Sequence, residues 1–162
     1  VGVPNDADSH TNYVTEVLDI YTSTPAKFTT VFDQVHEVLT DFQLSGIALG
    51  LCTNKPERAT GVVLEEFGLT AFFGSIVGGD RLPSRKPDPA MLHLVMNELG
   101  VQRCLFVGDS EVDVATAKAA GVPIALFTQG YRQTHLADMD ADYNFDSFCE
   151  LPAIANDIYT IL

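Results

Sequence analysis

Five side chains in three stretches of the sequence could together handle a phosphoryl group: Thr53, Asn54, Lys86, Asp109 and Asp113. Asp109 follows the apolar run 105–107 across Gly108, and Asp113 comes four residues later. An uninterrupted apolar run reads as a strand buried on both faces, and open α/β sheets place their ligands just past the carboxyl ends of such strands. The segment 112–120 is rich in helix formers. The two carboxylates therefore project near one another at a helix N-terminus, where they suit a hard cation such as Mg²⁺. The plainer reading, that Asp109 or Ser110 only caps the helix, is equally open on this stretch alone. Thr53 and Asn54 offer a hydroxyl, an amide and backbone N–H groups at the end of another apolar run, and Lys86 offers a fixed cation in an irregular loop. A hydroxyl, a lysine and a carboxylate pair suit a phosphoryl group held against Mg²⁺. Singly, Thr53 is an ordinary strand end, Lys86 a solvated lysine and Asp88 a helix cap. Their order in one chain makes the joint reading the stronger one.

Short alternating elements must position these groups. The pattern predicts an amphipathic helix over 11–22, a linker over 28–32 and a helix over 33–43 that closes at Gly46. A strand over 47–52 follows, then a helix from Pro56 to about Phe67 and a strand over 73–77 ended by Gly78-Gly79-Asp80. That glycine turn reads as backbone geometry, not as a ligand contact. Asp88-Pro89 opens a helix that runs to Leu99-Gly100. After the run 105–107 and its helix come strands over 123–127 and 142–145 and a closing helix over 151–162. Strand–helix alternation with short connections predicts a parallel sheet covered by helices, with right-handed crossovers.

Composition sets the outer bounds. The chain has 162 residues, 46% hydrophobic and 19% charged, which is the profile of a globular domain with a proper core. A formal net charge of −13 argues against nucleic acid as a partner, because such binding needs basic surface. No apolar run approaches transmembrane length, and residues 1–10 lack the features of a signal peptide, so no membrane partner is expected. Cys52, Cys104 and Cys149 are odd in number and widely spaced. They read as buried free thiols of a reducing, cytoplasmic compartment, not as a disulfide framework or zinc site.

The stretches LGLCTNKP, RKPDP and FVGDSEVDVATAKAAG resemble the second, third and fourth motifs of the haloacid dehalogenase-like hydrolase superfamily. The run of TNKP, GGD, KPxP, GDSxxD and a helix ending in AAG is most similar to the phosphoglycolate phosphatases. The resemblance implies a Rossmann-like α/β core and a Mg²⁺-dependent phosphomonoester hydrolase acting on a small phosphorylated metabolite. It implies that Thr53 and Asn54 meet the phosphoryl group and that Lys86 neutralises charge there. It implies that Asp109 binds the metal and that Asp113 holds the metal through water or orients Lys86. A monomer or homodimer is expected.

One motif of the family is missing. Its first strand ends in Asp-x-Asp, whose first Asp is the nucleophile that becomes an aspartyl-phosphate. No such strand precedes Ile47, and neither Asp6-Ala7-Asp8 nor Asp138-Met139-Asp140 follows an apolar strand. By resemblance, residues 1–30 are the end of a helical cap domain with its linker, and 31–162 form the core without its first strand. Two classes of function follow: a phosphatase whose nucleophile lies on an upstream segment, or a non-catalytic fragment or interaction module. Phosphatase or phosphomutase chemistry on another small phosphorylated metabolite also fits. A dehalogenase needs no metal seat, and no GxGxxG supports a dinucleotide-binding protein.

Overall fold

The computed structural model describes residues 29–161. The helix predicted over 11–22 and nearly all of the cap segment lie outside them. The described chain is α/β in the order α1 (Val35–Leu44), β1 (Gly50–Cys52), α2 (Glu57–Glu66), β2 (Ser75–Val77), α3 (Ala90–Glu98), β3 (Phe106–Gly108), α4 (Glu111–Ala120), β4 (Ile124–Phe127), β5 (Tyr143–Phe145) and α5 (Leu151–Ile161). All strand pairs are parallel, as the alternation predicts.

The sheet is split. β1 pairs with β2, and β3, β4 and β5 form a separate group in that order. Between the halves runs an apolar slot of about 560 Å³, lined by residues 46–52 on one side, residues 103–107 on the other, and α1, α3 and α5. β1 and β3 therefore each have one ladder edge without a strand partner among the described residues.

β4 shows why the larger half holds together. Ile124 and Leu126 pack with Leu92, Phe106, Val114 and Ala117 on one face. Ala125 and Phe127 pack with Val38, Phe145 and Leu151 on the other. The period-2 alternation of side chains puts apolar residues against helices on both faces. α3 sends Leu92 into that core and Met91 and Val95 into a second one with Val77, so one helix covers both halves.

Several expectations need correcting. The strand predicted over 47–52 pairs as a strand only over Gly50–Cys52, because β2 begins at Ser75, after a short 3₁₀ turn at Thr70–Phe72. Val107 is 39% exposed, not buried, because it lines the slot. Cys149 is exposed while Cys52 and Cys104 are half-buried, and all are free thiols. Pro56 and Pro89 each stand one position before their helix, and Asp88 still serves that helix start: its Oδ1 accepts the Ala90 N–H at 2.8 Å.

Candidate active site

The site gathers at the carboxyl ends of β1 and β3. Thr53 continues the β1 ladder by donating its N–H to Val77 O at 3.1 Å. Its Oγ1 accepts the Lys55 N–H at 3.2 Å. A hydroxyl that accepts one bond keeps its own proton to donate. The turn after β2 packs onto this corner. A Cβ on Gly79 would stand 2.2 Å from Asn54 O, and one on Gly78 2.3 Å from Glu57 N, so both glycines are needed for close approach. Asp80 Oδ1 accepts the Glu57 N–H at 2.7 Å and so satisfies a free donor at the start of α2. The Gly-Gly-Asp turn is architecture, as its sequence suggests.

Asn54 reaches across to the loop that holds Lys86. Its Nδ2 donates to Lys86 O at 3.0 Å, and its Oδ1 accepts the Lys86 N–H at 2.9 Å. Arg85 Nε donates to Gly79 O at 2.6 Å and ties the same loop to the β2 turn. The Lys86 side chain then turns towards the other half-sheet. Its Nζ donates to Asp113 Oδ1 at 2.6 Å and lies 5.6 Å from the Phe106 ring centroid. Both members of the ion pair are sheltered, with side chains 12% and 5% exposed.

The turn after β3 explains why Asp113 is fixed. Ser110 caps α4 in a capping box with Asp113. Asp113 Oδ2 accepts the N–H of Asp109, the N–H of Ser110 and the Ser110 hydroxyl at 3.1, 3.2 and 2.7 Å. Burial alone would push the Asp113 carboxyl up, but the Lys86 ammonium and the bonds from Lys86, Ser110 and Asp109 outweigh it and hold the group below the ordinary carboxylate value. The Asp113 Oδ2 is taken up by three protein donors and its Oδ1 accepts the Lys86 ammonium, so the carboxylate is placed to orient Lys86. Burial raises the Cys52 thiol, and it also feels Lys86 and Asp113, which places the end of β1 beside the pair.

Asp109 is held differently. Its Oδ2 accepts the Tyr131 N–H at 3.1 Å, while Oδ1 has no hydrogen bond among the described residues. Mg²⁺ sites commonly use one or two carboxylates, with waters and substrate phosphate oxygens completing the shell. Asp109 fits that role as a single protein ligand. No cluster of three or more His, Cys, Asp or Glu suited to a metal exists among the described residues.

The structure thus brings Asn54, Lys86, Asp109 and Asp113 into one bonded chain, with Thr53 beside Asn54. Gly130 and Tyr131 are additions, while Ser110 takes the capping role that its sequence offered. The Ser-x-x-Asp spacing 110–113 is a capping signal visible in the sequence. Nothing local marks Gly130 or Tyr131, because their partner is on another turn.

Residues 4–127 match the haloacid dehalogenase-like hydrolase family. A phosphoglycolate phosphatase of Cereibacter sphaeroides (strain ATCC 17029) is 44% identical over 132 residues, which is 82% of this chain and 61% of that protein. One from Rhodospirillum rubrum is 40% identical over 155 residues, 93% of this chain and 64% of that protein. The chain therefore spans somewhat less than two thirds of these relatives. The crystal structure of a predicted phosphoglycolate phosphatase from Haemophilus somnus 129pt superposes with a TM-score of 0.85 at 28% identity, over 92% of this chain and 68% of that one. With the family match covering most of its length and the parallel α/β core shared, this chain belongs to the haloacid dehalogenase-like hydrolase family.

Proposed function

We propose that the chain is the phosphoryl-transfer core of a Mg²⁺-dependent phosphomonoester hydrolase acting on a small phosphorylated metabolite of the phosphoglycolate type. The observation that supports this best is Lys86, which spans the mouth of the slot. Its backbone is bonded to Asn54 after β1, and its ammonium to Asp113 after β3. A cation fixed between the turns that carry Thr53 and Asp109 suits the oxygens of a transferring phosphoryl group. Lys86 and the Thr53 O–H would hold the phosphoryl oxygens. Asp109 would hold Mg²⁺, which when bound neutralises phosphoryl charge.

The nucleophile in this reading is an Asp on a segment beyond these 162 residues. A strand takes up roughly 160 Å³ per residue from its rise, strand spacing and sheet separation. A slot of about 560 Å³ between two three-residue strands has room for a short strand of similar length. Placed parallel to its neighbours, such a strand would end between Thr53 and Asp109 and could present a carboxylate there.

The test is phosphoglycolate hydrolysis by a protein extended to the length of the relatives. Mg²⁺-dependent turnover lost in Asp109→Asn supports the reading; indifference to both the metal and the substitution overturns it. The split sheet also favours a second reading, a non-catalytic module. Metal-dependent turnover by the 162-residue chain alone would remove that alternative.

A further inference from the structure

We propose that Asn54 is a positioning residue that acts on the chemistry through Lys86 and not through the substrate. Its amide forms two hydrogen bonds of opposite sense with the backbone of one residue, 3.0 Å to Lys86 O and 2.9 Å from Lys86 N. Two bonds to the peptide groups on either side of one Cα fix the orientation of Lys86 as well as its distance. Lys86 needs this because residues 81–89 contain no helix or strand to place it. A lysine side chain is a flexible four-carbon stem with large rotamer entropy, so a fixed ammonium requires anchoring. Asp113 anchors the far end at 2.6 Å, and Asn54 anchors the near end.

Asn54 is itself held. The Gly79 backbone lies against its carbonyl, and the Gly79 N–H donates to Lys55 O at 2.8 Å. The connection runs from β1 through Asn54 and Lys86 to Asp113 in the first turn of α4, after β3, and so joins the two half-sheets across the mouth of the slot. An Asp at position 54 would keep the acceptor for the Lys86 N–H but set an oxygen against Lys86 O. An Ala would lose both bonds.

The ligand-binding part of the test rests on the phosphatase reading; the backbone part does not. With the 162-residue chain, amide exchange at Lys86 and the affinity for inorganic phosphate with Mg²⁺ are measured for Asn54→Ala, Asn54→Asp, Lys86→Gln and the Asn54→Ala/Lys86→Gln pair. The Lys86 amide is expected to exchange at least tenfold faster in Asn54→Ala and to stay protected in Asn54→Asp. Phosphate affinity is expected to fall in Asn54→Ala by no more than in Lys86→Gln, with no further loss in the pair. Unchanged Lys86 exchange in Asn54→Ala overturns the proposal. So does a further loss in the pair, which would show Asn54 reaching the ligand itself, or a lowered Tm with phosphate affinity intact. A wild-type chain that binds no phosphate counts against the phosphatase reading, and the exchange result then decides on Asn54 alone.

Discussion

Gly130 lies so close to Asp109 that a Cβ on it would stand 2.2 Å from the Asp109 Cβ. The next residue, Tyr131, donates its N–H to Asp109 Oδ2. The loop after β4 thus sets the rotamer of the proposed metal ligand by backbone contact. Gly130→Ala must displace Asp109 or the loop. Binding of Mn²⁺ as a paramagnetic substitute for Mg²⁺ should weaken at least tenfold. Tyr131 is 92% exposed, so Tyr131→Ala keeps the N–H and should bind the ion as the wild type does. Equal affinity in Gly130→Ala and wild type would show that this contact does not set the site.

Lys86 and Asp113 should be coupled in stability as well as in function. Removing the ammonium leaves a carboxylate with only 5% side-chain exposure without its counter-charge. Breaking a sheltered pair from one side costs on the order of 3 kcal/mol. Lys86→Ala should therefore lower the urea midpoint strongly. Adding Asp113→Asn should recover part of the loss, since the uncompensated charge goes with it. Strict additivity of the two changes would contradict the pairing.

Acid should act through the same carboxylate. The folded-state value of Asp113 lies below its ordinary 3.8, so the folded state binds this proton less readily than the unfolded chain. Its contribution is complete above that ordinary value and is lost as pH falls from there through the lower folded value. Urea midpoints measured between neutral pH and pH 3 should fall more steeply for the wild type than for Asp113→Asn. Parallel curves would mean that Asp113 is not held in its charged form by folding.

Much of this arrangement was legible because its signals are local. Gly121 ends α4 with a positive φ of 69°, and Ser110 begins it with a side-chain cap, both at the places where the sequence puts them. The apolar runs at 105–107 and 123–127 became β3 and β4 within a residue or two. What escaped depends on distant partners. The partner of Asn54 is 32 residues away, and that of Tyr131 is 22 residues away. Residue types and spacing alone make Asp113 half of a carboxylate pair; only the family resemblance offers orientation of Lys86 as a role, and in the structure Lys86 Nζ donates to it. Val107 reads as buried because its sequence neighbours are apolar, and it is exposed because β3 has no strand beside it on the slot.

The slot makes a direct prediction about exchange rates. Along a strand, successive N–H groups point to opposite edges. The Phe106 N–H donates to Pro123 O, on the β4 side, so the Val107 N–H faces the slot. The Thr53 N–H donates to Val77 O, on the β2 side, so the Cys52 N–H faces the slot from across. β4 lies between β3 and β5, and its residues are fully buried. In the 162-residue chain, the Val107 and Cys52 amides should exchange orders of magnitude faster than those of Ala125 and Leu126. In a protein extended to the length of its relatives, a parallel strand in the slot would accept both bonds, and the difference should largely disappear. An unpaired edge is also a template for association. The shorter chain should therefore self-associate more readily than the longer one when both are compared by light scattering at equal concentration. Protection of Val107 and Cys52 equal to that of β4 in the 162-residue chain, at a concentration where it is monomeric, would show that the slot is already filled by its own residues. The nucleophile would then have to be sought within this sequence and not beyond it.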